Sequence, residues 1–112
     1  MGVINFNVKK VDDPGNGKAI PVGNYNIVCN LVTAGAGETR TLANPAHCGQ
    51  PCTITVDPDG GSCDITAASV INKAGNNVMA FSHLRDSAFL VAVTAGGALR
   101  WQIMGNDDVS LS

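Results

Sequence analysis

The chain has 112 residues, a charged fraction of 14% and a formal net charge of −2. That length suits a single domain that buries about two thirds of the surface its unfolded chain exposes, so folding requires no cofactor or metal. The charge balance lacks the basic excess that a nucleic-acid backbone demands, and no apolar run approaches the length of a membrane span. Polarity comes from Asn, Thr, Ser and Gly. Glu38 is the only glutamate while Val, Ile and Thr are common, so propensity favours strands and leaves helix a minor component.

The amino terminus, Met-Gly-Val-Ile-Asn-Phe-Asn-Val, lacks the basic segment and apolar core of a signal peptide, and Phe6 stands where a myristoylation signal needs Ser or Thr. Synthesis in the cytosol is the expectation. Ile4, Phe6 and Val8 alternate with Asn5 and Asn7 as a first strand. Residues 9–21 carry Lys-Lys, Asp-Asp-Pro-Gly-Asn-Gly-Lys and a closing Pro, which reads as a mobile loop too long for a tight hairpin. Over residues 23–33, Tyr25, Ile27, Cys29 and Leu31 fall on one side of a period-two ribbon and Asn24, Asn26 and Asn30 on the other. This is the strand around which a sheet is expected to form.

Residues 34–38 form a small-residue turn, 39–43 a short strand, and 44–52 an irregular stretch interrupted by Pro45 and Pro51. Residues 52–56 and 63–67 flank Asp-Pro-Asp-Gly-Gly-Ser, a hairpin signal. A four-residue loop at 58–61 puts Cys52, Ile54 and Val56 on one face with Cys63, Ile65 and Ala67, whereas a slip by one would bury Asp64. Residues 67–77 fit either a short helix capped by Thr66 or a hairpin pairing 69–71 with 78–81, and the strand-rich character favours the hairpin. Residues 88–93 and 99–103 bracket Thr-Ala-Gly-Gly-Ala as a second hairpin, the apolar run from Phe89 to Val93 suiting a strand covered on both sides. The tail at 105–112 is polar and expected to be loose. Together these elements predict one all-β domain over 1–112, an antiparallel β-sandwich or jelly roll of about seven or eight strands.

Cys29, Cys48, Cys52 and Cys63 are candidate disulfide partners, with three pairings that spacing does not separate. Buried free thiols and a zinc site are the alternatives, although only Cys48 and Cys52 have the close spacing of a ligand pair. His47 and His83 show no neighbouring carboxylate or helical partner, and His47 beside Cys48 permits a thiol–imidazole pair without an oxyanion-hole motif. Asp57, Asp59 and Asp64 lack the further ligands of a calcium loop and read as a solvent-facing turn. Trp101 and Tyr25 lie within apolar stripes and are expected in the core.

Four cysteines suggest oxidising surroundings, whereas the missing leader suggests the cytosol; a virion component made in a bacterium and released by lysis satisfies both. The start Val-Ile-Asn-Phe-Asn-Val, the neutral segment Phe-Leu-Val-Ala-Val-Thr-Ala-Gly-Gly-Ala-Leu-Arg-Trp-Gln-Ile and the polar ends resemble the small decoration, or cement, proteins of tailed-phage heads. The resemblance implies a non-enzymatic dimer or trimer, located in the virion, that binds at seams between major capsid proteins and braces the shell. Lys9, Lys10, Asp12, Asp13 and Lys18 on one arm, and Asp107 and Asp108 on the tail, are the candidate partner-binding residues. The alternative is an extracellular carbohydrate- or surface-binding β-sandwich module that uses Trp101.

Overall fold

The computed structural model describes residues 8–57 and 60–112, an all-β chain with no helix among them. In chain order the strands are β1 (Val8–Asp12), β2 (Lys18–Ile20), β3 (Asn26–Leu31), β4 (Glu38–Leu42), β5 (Pro51–Val56), β6 (Cys63–Ala67), β7 (Val78–Phe81), β8 (Ser87–Ala95), β9 (Ala98–Asp107) and β10 (Ser110–Leu111). Two five-stranded sheets, ordered β1-β3-β5-β8-β9 and β10-β7-β6-β4-β2, enclose one core cluster in a sandwich-like body. Ile4 and Phe6 of the expected first strand lie outside the described residues.

The expected antiparallel sandwich is corrected in strand number and in pairing. β1, β3 and β5 pair in parallel in the first sheet, and β2, β4 and β6 pair in parallel in the second. The chain therefore crosses from sheet to sheet at each of its first six strands, laying down coils that stack on one another. Only from β7 onward is the pairing antiparallel. Side-chain alternation survives this change, because period two governs any strand with one buried face. Ile27, Cys29 and Leu31 of β3 are buried, while Val28 is exposed.

The Asp-Pro-Asp-Gly-Gly-Ser segment is not a hairpin. β5 belongs to the first sheet and β6 to the second, so Cys52, Ile54 and Val56 meet Cys63, Ile65 and Ala67 within the shared core instead of across a ladder. Asp57 and Gly60 to Ser62 instead bond to the corresponding turn of the preceding coil. Asp57 N–H donates to Leu31 C=O at 2.9 Å and Glu38 N–H to Ser62 C=O at 3.1 Å. Gly60 N–H donates to Thr33 Oγ1, which itself donates to Gly61 C=O, each at 2.9 Å. Any Cβ on Gly60 would overlap the Thr33 carbonyl, so the glycine is there to permit backbone contact between coils.

Residues 9–21 do not form one irregular loop. Val11 and Ile20 are buried, and β1 and β2 pair with β3 and β4, leaving a turn between them. The tail is likewise held. β10 pairs with β7, Val109 is buried, and Val109 N–H donates to Asn106 Oδ1 at 2.8 Å. The strand at 78–81 pairs with β6, and Ser69 to Ile71 belong to the connection before it. The β8–β9 hairpin forms as expected, but β8 is covered on one side only, with Phe89 facing solvent.

Arg40 occupies a core position of β4, in register with buried Ile65 and Met79. Its guanidinium donates to Asp13 Oδ1 at 2.7 Å and Oδ2 at 2.8 Å, and to Glu38 Oε1 at 2.9 Å. Asp13 also accepts from Val32 N–H and Gly15 N–H, and Glu38 from Ala34 N–H and Gly35 N–H. Burial works to raise the Asp13 pKa, but the Arg40 hydrogen bond and the two amides outweigh it and hold the carboxyl below its ordinary value. The Ala34 and Gly35 amides, with Arg40, lower that of Glu38.

Because both folded-state pKa values lie below their unfolded values of 3.8 and 4.5, the stabilisation is complete above the unfolded range and is lost as pH falls through the lowered folded values. Denaturant midpoints measured against pH should therefore drop in acid below about pH 4, and Asp13→Asn, which leaves Arg40 buried and half-paired, should cost about 3 kcal/mol at neutral pH with a shallower acid slope. Gly60→Ala should lower stability by about 2 kcal/mol through the forced separation of two coils, read by the same denaturation.

Candidate interaction surface

The sequence-predicted partner residues separate into three groups. Lys9, Lys10 and Asp12 on β1 and Lys18 on β2 are exposed, on the terminal strands of the two sheets. Asp13 is withdrawn into the Arg40 ion pair, so it is structural and not part of an arm. Asp107 ends β9 and Asp108 lies in the turn before β10, both exposed. Lys10, Asp12 and Asp13 line a hollow of about 360 Å³ with Val11, Gly15, Asn30 and Val32, where the first and second coils meet.

The outer face of the first sheet carries the features that the sequence reading missed. Lys10, Val28, Thr53, Phe89 and Gly105 lie in register across all five strands. Val28 and Phe89 are 40% and 41% exposed, unlike the covered apolar side chains of the core. Val8 on the edge strand and Met104 at the β8–β9 irregularity, 63% exposed, extend the apolar character to either side. Val28 was legible from its parity in β3; Phe89 was hidden within a continuous apolar run that period two does not resolve. Among the described residues β1 pairs on one side only, with β3, and stands at the edge of the sheet.

Tyr25, expected in the core, is 39% exposed, with the Lys9 ammonium 5.0 Å from its ring centroid. Beneath it, buried Gln50 closes the turns at this end of the coils. Its Nε2 donates to Tyr25 C=O at 2.8 Å and Gly23 C=O at 3.0 Å, and its Oε1 accepts from Ala46 N–H at 2.8 Å. Trp101 is core as expected, 1% exposed, its Nε1–H donating to Ala43 C=O at 2.8 Å. A sugar ring cannot reach it there, which removes the residue on which the carbohydrate-binding alternative relied.

The expected disulfides are absent: Cys29, Cys52 and Cys63 are buried free thiols and Cys48 is an exposed one. Cys29 is in register with Ile54 and Cys52 with Ile27, a diagonal offset on neighbouring strands, and Cys63 belongs to the opposite sheet. Burial pushes the thiols of Cys29 and Cys63 up to about 11 and that of Cys52 up to about 12. The cysteines do not form a metal-ligand group among the described residues. The His47 ring lies beside the carbonyl oxygens of Asn24 and Cys48, at 3.3 and 3.5 Å. His83, by contrast, does have carboxylate neighbours, Asp86 and Asp108. The spacing to Asp86 was present in the sequence; the approach of Asp108 was not. Asp59 lies outside the described residues, and Asp64 is exposed on β6.

No protein-family model matches the chain, and a search of curated proteins finds no match. For the thiols, the expected outcome is that a thiol reagent modifies Cys48 alone in the native protein and all four cysteines after unfolding, with an intact mass unchanged by reductant.

Proposed function

We propose that this chain is a non-enzymatic capsid decoration protein that binds at seams between major capsid proteins of a phage head and stabilises the shell. The observation that carries the reading is the outer face of the first sheet, where Val28 and Phe89 stand exposed in one row that runs to β1, the edge strand among the described residues. An open sheet face with exposed apolar side chains suits another protein's surface better than a small ligand, which favours an enclosing pocket. Each contact is modest, but copies acting together as a dimer or trimer multiply them. Lys10 and Asp12 on β1 and Arg100 and Asp107 on β9 put charges of both signs along the two rims of the face, a pattern that a complementary seam can read for register. The protein would be assembled onto heads in the host cytoplasm and reside in the virion.

The test is binding to, and thermal protection of, capsids that lack the protein. Phe89→Asp and Val28→Asp, both at exposed positions, should keep the melting temperature within a few degrees of the parent and weaken capsid binding by at least about tenfold, since each loses apolar contact and buries a charge. Heads without the protein that resist heat as well as complete ones, together with its absence from purified virions, would overturn the reading.

A further inference from the structure

We propose that the corner formed by His83, Asp86 and Asp108 binds a divalent transition-metal ion of the Zn²⁺ type. The residues come from two turns brought together by the sheets: His83 and Asp86 from the connection between β7 and β8, Asp108 from that between β9 and β10. His83 Nδ1 is 3.8 Å from Asp86 Oδ2 and 3.5 Å from Asp108 Oδ2. One ligand atom from each residue lies within 4.8 Å of the others. Tetrahedral zinc with bonds near 2.1 Å separates its ligands by about 3.4 Å, so small side-chain rotations suffice to close the site.

Two further observations point to a cation. Asp86 is only 4% exposed, and its Oδ2 accepts Ser82 N–H and His83 N–H at 2.9 Å each, while its Oδ1 has no donor among the described residues. No buried side-chain oxygen is left without a partner among the described residues, so this Oδ1 opens to solvent, and a carboxylate fixed by two amides with its second oxygen open is an oriented ligand. Neither Asp86 nor Asp108 forms an ion pair with Lys or Arg among the described residues, so the only cationic group that can face them is the His83 ring, whose place as a counter-charge a metal ion can take. An imidazole nitrogen with two carboxylates selects zinc-like ions over calcium or magnesium, which prefer all-oxygen shells. The side chains of His83 and Asp108 are each 73% exposed, leaving the remaining coordination position to water. A bound ion would tie the β7–β8 turn to the β9–β10 turn and so hold the short C-terminal strand in place.

The experiment uses full-length protein in a Cys48→Ser background, which removes the one exposed thiol, stripped of metal and titrated with Co²⁺ and with Zn²⁺. The expected result is uptake of a single equivalent, with visible ligand-field bands for Co²⁺ and a melting temperature that rises with Zn²⁺ and returns with chelator. His83→Ala and Asp108→Asn should each weaken binding by at least about tenfold while leaving the metal-free melting temperature unchanged; Asn tolerates the positive φ of 64° at position 108. Absence of uptake, uptake equal in the variants and the parent, or tighter binding of Ca²⁺ than of Zn²⁺ would each overturn the proposal.

Discussion

A guanidinium in the interior has to be neutralised from somewhere, and for Arg40 that requirement ties the coils together. Its inward position on β4 admits no retreat to solvent, so the compensating carboxylates must come to it. Glu38 is on the same strand, but Asp13 belongs to the turn of the preceding coil and reaches Arg40 only if β1 and β2 stack directly beside β3 and β4. The same carboxylates accept Val32, Gly15, Ala34 and Gly35 amides, which satisfies turn backbone groups that no ladder pairs. A buried ion pair is a poor source of net stability, since desolvation offsets most of the attraction. Its value lies in register: a shift of one coil against the next would strand the charge.

Stacking of turns continues that logic along the sandwich. The turn after β5 lies on the turn after β3 through Thr33, Gly60 and Gly61, and Gln50 closes the opposite end by donating to successive carbonyls. Parallel coils need a stop, or their edge strands remain open templates. At one end the antiparallel strands β7 to β10 reverse the chain direction and end the stacking. At the other, β1 and β2 carry Lys9, Lys10 and Lys18, charges that discourage unspecific edge pairing while remaining available to a partner.

The same architecture divides the surface by task. Strand pairing, parallel from β1 to β5 and antiparallel from β5 to β9, aligns the outward side chains of five strands into rows, and this is what brings Val28 and Phe89, distant in sequence, onto one exposed face. The β8–β9 and β7–β10 pairings bring the turns at 82–86 and 108 together at a corner, where a histidine meets two carboxylates. Neither group is local in sequence. Each exists because neighbouring coils or strands fix the spacing between residues that the chain separates.

The sequence by itself determined the strand-rich class, the alternation of β3, β5 and β6, the β8–β9 hairpin and the core placement of Trp101, because period two and short-range turn chemistry are written in adjacent residues. It misjudged the turn at 57–62, the order in residues 9–21 and the exposure of Tyr25 and Phe89. In each case the missing fact was which strand lies alongside. A Pro-Asp-Gly-Gly turn serves a hairpin or a crossover equally well, and Gly60 reveals the difference only through the carbonyl of Thr33 pressed against it. Only the tertiary structure decided that the strands pair in parallel coils, that four cysteines remain thiols, and that Asp108 reaches His83, since these depend on contacts between segments whose separation along the chain carries no local signal.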